Sequence, residues 1–169
     1  MENLLFFLAT SLAMRINTQR KLQQQYIGTT GCSALLYAQQ DDLNKVKTAS
    51  GDDLYFHEHK SKGVSYGMIL VEMQDDHDLV IATEMLISYI DKLRSPLSIM
   101  HRVGITKDID WNTTESSTIL DYWQDKKGAD WKIKGYTNGR QLAVLYVRNI
   151  GQVDVKKQDQ FLDSFHFGG

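Results

Sequence analysis

Residues 131–149 read WKIKGYTNGRQLAVLYVRN. Asn138-Gly139 is a strong two-residue hairpin signal, because both residues accept the positive φ that tight turns between antiparallel strands require. The turn predicts that residues 131–136 and 141–148 pair antiparallel. The second of these segments is apolar at consecutive positions, so both of its faces need cover, as in a sheet with a layer on each side. A hairpin here also argues against a purely parallel, doubly wound sheet.

Working outward, STILDYW and DWKIKGY read as strands separated by the polar loop QDKKGA. Further upstream, LSIMHRVGI places Leu97, Ile99, His101, Val103 and Ile105 on one strand face. Before it, Leu79, Ala82, Leu86, Ile90 and Leu93 recur at helical spacing, with Glu84, Asp91, Lys92 and Arg94 falling mainly elsewhere. Asp76 or Asp78 supplies the N-terminal cap, and Pro96, the only proline, marks the stop. SYGMILVEM has the length and apolar character of a central strand, and SALLYAQ alternates with Ala34, Leu36 and Ala38 on one face. The segment from Ala38 to Asp53 is polar and turn-rich and reads as a loop. Gly151 and Asp154 open a last element, in which Val155, Phe161, Leu162 and Phe165 fit a closing amphipathic helix. The order predicts an α/β protein of the α+β type, an antiparallel sheet with helices on both faces. Residues 1–169 read as one domain, since no repeat, low-complexity tract or linker interrupts them.

A chain of 169 residues, 42% hydrophobic, is long enough for one well-buried core. Net charge −2 and a pI near 6.2 give no footprint for nucleic acid. Cys32 is the only cysteine, which excludes an intrachain disulfide and a cysteine-rich zinc site; it reads as a small, half-buried core residue. The N-terminal LLFFLATSLAM has signal-peptide length, and Ser11 with Ala13 suits a cleavage rule, but Glu2 stands where a basic n-region belongs. The run is also too short for a transmembrane span of about 20 apolar residues. Leu4, Leu8, Leu12 and Ile16 fit an amphipathic helix that docks on the core, and a cytoplasmic location is favoured over a secreted one.

The apolar strand YGMILVEM, the helix Leu79–Leu93, the hairpin strand GRQLAVLYV and a terminal FLDSF together resemble the bacterial Mog/PsbP-like group, over roughly residues 64–167. The resemblance implies a three-layer α/β/α sandwich around a mainly antiparallel sheet, PsbP-like in outline. That fold is similar to photosystem-associated extrinsic proteins, to a Ran-binding protein and to chaperones of secreted effectors. The chain departs from the group where IDWNTTESS replaces a Gly-rich turn, and it lacks the group's early proline stretch. No functional residue is carried over, because a shared fold does not transfer function.

Two constellations are candidates for chemistry. On a strand, His57 and His59 share a face, and DDHD with Asp76 and His77 can complete a transition-metal site if SKG turns the chain back. The simpler reading has solvated histidines and acids that cap the following helix, and the expectation is that His57 and His59 share no metal and that no cofactor is needed. No Gly-rich phosphate loop, nucleophile elbow or His-Glu-x-x-His pattern is present. The second constellation is aromatic: Trp111, Tyr122, Trp123, Trp131, Tyr136 and Tyr146 cluster in the C-terminal half, as core packing or as a face for a protein partner. The favoured function is a non-catalytic binding or accessory protein using a sheet face or adjacent groove, with a dimer compatible. The alternatives are chaperone-like sheltering of an apolar segment and a small metal-dependent hydrolase around His57 and His59.

Overall fold

The computed structural model describes residues 21–37, 43–103, 108–110 and 115–168. The helix expected over residues 4–16, together with Ala38, Ile105 and Trp111, lies outside them. The elements are β1 (Gln23–Tyr26), β2 (Ser33–Leu36), β3 (Asn44–Lys47), β4 (Asp53–Ser61), β5 (Val64–Glu72), α1 (Leu79–Leu93) and β6 (Ile99–Arg102). They continue with β7 (Asp108–Asp110), β8 (Ser117–Asp125), β9 (Asp130–Thr137), β10 (Gln141–Asn149) and α2 (Val155–Leu162). β1 and β2 pair as a separate hairpin. The other strands form an eight-stranded sheet in the order β3-β4-β5-β10-β9-β8-β6, with β7 also on β8. Every pairing is antiparallel, and with two helices the class is α+β.

β9 and β10 pair antiparallel as expected, in a register running from Leu142↔Thr137 to Asn149↔Asp130, but the connection spans residues 138–141 instead of two: Asn138 does not take a positive φ, and its Oδ1 accepts from the Arg140 and Gln141 N–H groups. Gly139 is needed twice over. Its φ is +92°, and a Cβ there would lie 2.3 Å from the carbonyl oxygen of His77. That closeness lets the His77 N–H donate to the Gly139 carbonyl at 2.8 Å, which ties the start of α1 to the hairpin. Gly139→Ala is expected to cost about 2 kcal/mol or more, a fall in Tm of roughly 4–8 °C. Gly128→Ala, at φ +76° but with nothing near its side-chain position, is the comparison and should cost clearly less. Thermal melts of the two variants decide it.

Alternation along β10 feeds two cores. Leu142, Val144 and Tyr146 meet Leu86, Ile90 and Leu93 of α1, together with Ile69, Ile119, Trp123, Trp131 and Ile133. Ala143, Leu145 and Val147 face the other way, onto Phe161 and Leu162 of α2 and onto Ile27, Cys32, Ala34 and Leu36 of the hairpin. Gly135 brings α1 close to β9, since a Cβ there would meet Ile90 at 2.7 Å. Asp78 accepts from the Ile81 N–H at the start of α1, and Asp154 accepts from the Lys157 N–H at the start of α2. The hairpin is held by the C-terminal tail through Ser33 and His166, whose N–H groups donate reciprocally at 2.9 and 2.8 Å, and through Leu35 N–H to Ser164 Oγ.

Four expectations need correction. Cys32 is fully rather than half buried. The stretch from Ala38 to Asp53 is not all loop: Asn44–Lys47 pairs with β4, where Lys45 and Lys47 share Asp53 at 3.0 and 2.9 Å. The face proposed for Leu97 to Ile105 is broken by a bulge between Ile99 and His101, which moves His101 to the other side. The last helix ends at Leu162, with Phe165 buried beyond it and Val155 exposed at 60%.

Candidate functional site

The histidines come first. The SKG turn does form a hairpin, with positive φ at Lys62 and Gly63, and it sets His57 opposite Met68 and His59 opposite Tyr66. The acidic stretch Asp75–Asp78, however, follows the far end of β5, where Glu72 pairs with Asp53. Six residues of strand separate that end from His59, about 20 Å at roughly 3.3 Å per residue. His57 is buried in the sheet, and His59 stacks on Tyr37 with ring centroids 4.4 Å apart. Asp76 stands 3.9 Å from Arg140, while His77 is hooked to Gly139. His57, His59, Asp76 and His77 are therefore not brought together. Among the described residues no group of three or more His, Cys, Asp or Glu converges as metal ligands.

The aromatic residues divide between the two faces. Trp123, Trp131 and Tyr146 are buried under α1, and Tyr136 is buried on the opposite face, where its hydroxyl donates to the Leu162 carbonyl. Of the described members only Tyr122 is exposed, at 42%. A single surface built from Tyr122, Trp123, Trp131 and Tyr136 does not exist, because neighbours on a strand point to opposite sides.

What the tryptophans do instead is bind carboxylates. The Asp121 carboxylate, 2% exposed, accepts from Trp123 Nε1 at 2.8 Å, Arg102 Nε at 3.1 Å and the Tyr122 N–H. Asp125 repeats the arrangement with Trp131 Nε1 at 3.1 Å and Arg148 Nε at 2.7 Å, and adds the Lys127 and Ala129 N–H groups. Arg102 reaches on to Asp91 of α1 at 2.8 Å. These two Trp–Asp–Arg sets stitch β6, β8, β9, β10 and α1 together at one end of the sheet. Their signal was in DYWQD: acids two residues either side of a tryptophan share its strand face and lie within reach of its partners.

Burial pushes the Asp125 carboxyl up, but the Arg148 guanidinium, the Trp131 indole and the two backbone N–H groups outweigh it and hold it below the usual value. A depressed carboxyl contributes stability that is full above its unfolded value, about 3.9, and is lost as pH falls through the lower folded value. Stability is thus expected to drop below about pH 4, and Asp125→Asn should flatten that acid limb while lowering stability at neutral pH. Chemical denaturation from pH 7 down to 2 measures both.

On the opposite face of β8 the surface is open and mixed. Tyr122 lies 5.7 Å beneath Lys132 Nζ, which is itself paired to Asp159 of α2 at 2.7 Å. Lys134 pairs in the same way with Asp163. Next to Tyr122, the Val103 N–H donates to its carbonyl, and Val103 and Met100 are 51% and 49% exposed. Burial draws the Lys132 ammonium down, yet Asp159 and Tyr122 bring it above its ordinary value and keep it cationic. The result is an apolar ledge at a sheet edge, bordered by a charged helix flank. Such a surface offers main-chain hydrogen bonds from the edge and side-chain contacts from Tyr122 to an extended segment.

No protein-family model matches the chain, and no curated protein matches it. Among the described residues no helix is long and apolar enough to cross a membrane.

Proposed function

We propose that the chain is a non-catalytic binding or accessory protein, organised as a PsbP-like three-layer α/β/α sandwich, that receives a protein partner on the β6–β8 ledge. The observation that supports this reading is the exposure of Val103, hydrogen-bonded beside exposed Tyr122 of β8, and of Met100 on the edge strand β6. Edge strands with apolar neighbours are the sites at which extended segments add to sheets. The hydrolase reading has less support, since His57 and His59 pair with Met68 and Tyr66 while the acids follow the end of β5 beyond Glu72.

The test is site-specific photo-crosslinking in extracts of the native source, with the probe at position 122 and, as a control, at Tyr26, which is 70% exposed on the separate hairpin. The expected result is a discrete protein adduct from position 122 that Val103→Glu abolishes without changing the melt. No adduct, or the same adducts from position 26, would overturn the ledge as the binding face. A broad spectrum of apolar segments captured at position 122 would support chaperone-like sheltering over a single partner.

A further inference from the structure

The charges of the large sheet are sorted by end. One end gathers the β3–β4 turn, the close of β5 and the start of α1, and it carries Asp52, Asp53, Glu72, Asp75, Asp76 and Asp78. Lys45, Lys47 and Arg140 offset these acids only in part. The other end holds the β4–β5 turn, the β8–β9 turn and the connection from β10 into α2. The register brings these three together. Asn149 of β10 pairs with Val64 on one side and Asp130 on the other, and the Ile150 N–H donates to the Gly63 carbonyl at 3.1 Å. Lys62, Lys126, Lys127 and Lys156 are exposed here, and no carboxylate among the described residues pairs with any of them. Lys60 and Glu58 pair with each other at 2.9 Å. The exposed acids Asp130 and Asp154 accept from Gln124 Nε2 and from the Lys157 N–H.

Two aliphatic side chains stand among these lysines, Ile150 at 57% exposure and Val155 at 60%. Gly128 and Gly151, in two of the connections, have no described atom within 4 Å of the side-chain position, so both sites are open. Lys156 and Lys157 lie in the first turn of α2, where the helix dipole disfavours cations. That placement works against the helix, so its use lies outside it. Nine residues of strand, about 30 Å, separate the two ends. The screening length is roughly 8 Å at physiological salt, so the acidic end does not cancel the basic one. We propose that the basic end docks on membranes bearing anionic lipids. The lysines meet the headgroup charge, while Ile150 and Val155 enter the boundary with the acyl chains. The aliphatic pair favours a bilayer over a nucleic acid, whose phosphates offer it nothing. The acidic end then points away from the surface, and the net charge of −2 sets an orientation without preventing contact.

Flotation of the full chain with vesicles tests this. The chain is expected to float with phosphatidylcholine and phosphatidylserine at about 3:1 and to stay behind with phosphatidylcholine alone. Lys126→Glu with Lys127→Glu should weaken binding by about 25-fold or more, since each lysine near an anionic leaflet is worth roughly fivefold. Ile150→Ser should weaken it too, and the binding it leaves should vanish in about 0.5 M salt. Lys47→Glu with Arg140→Glu, the same change of net charge at the acidic end, should leave binding within about twofold. If the lysine variant fails to fold, judged by its melt, Lys126→Gln with Lys127→Gln replaces it and must weaken binding in the same direction. No flotation, or equal flotation with neutral vesicles, overturns the proposal. An equal loss from the substitutions at the acidic end overturns it as well. Binding to a duplex oligonucleotide as tight as to the anionic vesicles, and indifferent to Ile150→Ser, overturns the lipid assignment.

Discussion

Replacing Asp125 with alanine is expected to lower stability by about 3–5 kcal/mol, and Tm by roughly 6–20 °C. The carboxylate is 7% exposed and gathers two side-chain and two backbone donors from β9, β10 and the β8–β9 turn. Alanine leaves the Arg148 guanidinium without its partner beside the Trp131 ring, 5.8 Å away, and strands the indole N–H. The loss is mainly that of a charge left buried, not of an attraction removed. Asp125→Ala combined with Arg148→Met should therefore recover much of it, since an apolar pair is often as stable as the ion pair it replaces. Denaturation midpoints within about 1 kcal/mol of the parent for the single variant would refute this account.

Gly67→Ala is the second large effect, at about 3 kcal/mol. Glu58, Gly67 and Tyr146 stand in one row across β4, β5 and β10. The Tyr146 ring lies flat over Gly67, so close that a Cβ would sit 2.0 Å from its Cζ, and its hydroxyl donates to Glu58 Oε2 at 2.5 Å. Burial, reinforced by the Glu58 carboxylate, keeps that phenol protonated well above the ordinary tyrosine range. A methyl group at position 67 lifts the ring, breaks the bond to Glu58 and disturbs the packing against Trp131, 5.2 Å away. Tyr146→Leu should cost markedly less in the Gly67→Ala background than in the parent. The coupling between the two sites is expected to be about 1–3 kcal/mol, and additive effects would show that the ring does not need the glycine.

The fold was largely legible because its strongest signals are local. Asn138-Gly139 names a turn, the unbroken apolar run of β10 demands two covered faces, and Asp78 with Pro96 brackets α1. The candidate sites were less so, because they depend on which ends of long strands meet. Reading SKG as a turn was right, yet a nine-residue β5 carries the acids away from the histidines instead of back to them. Tyr122 and Trp123 are adjacent, so strand alternation alone already forbade a shared face. The reach of the tryptophans to Asp121 and Asp125 was half visible, as the acids share their strand face. The arginines that complete those sets come from β6 and β10, and only the sheet order brings them there.

That sheet order has a consequence for how the chain assembles as it is synthesised. β10 lies between β5 and β9, so the strand that joins the two halves of the sheet is made after both of them. Until it emerges, β4–β5 and β8–β9 are separate hairpins, each with one edge waiting. The β1–β2 hairpin waits longer still, because Leu35 and Ser33 bond to Ser164 and His166, and Leu35 and Ser164 stand 129 positions apart along the chain. Contacts so distant along the chain close slowly, since the intervening loop must first give up its freedom. β1 and β2 are thus secured only after residues 164–166 have been made, and packing of the whole sheet waits for β10.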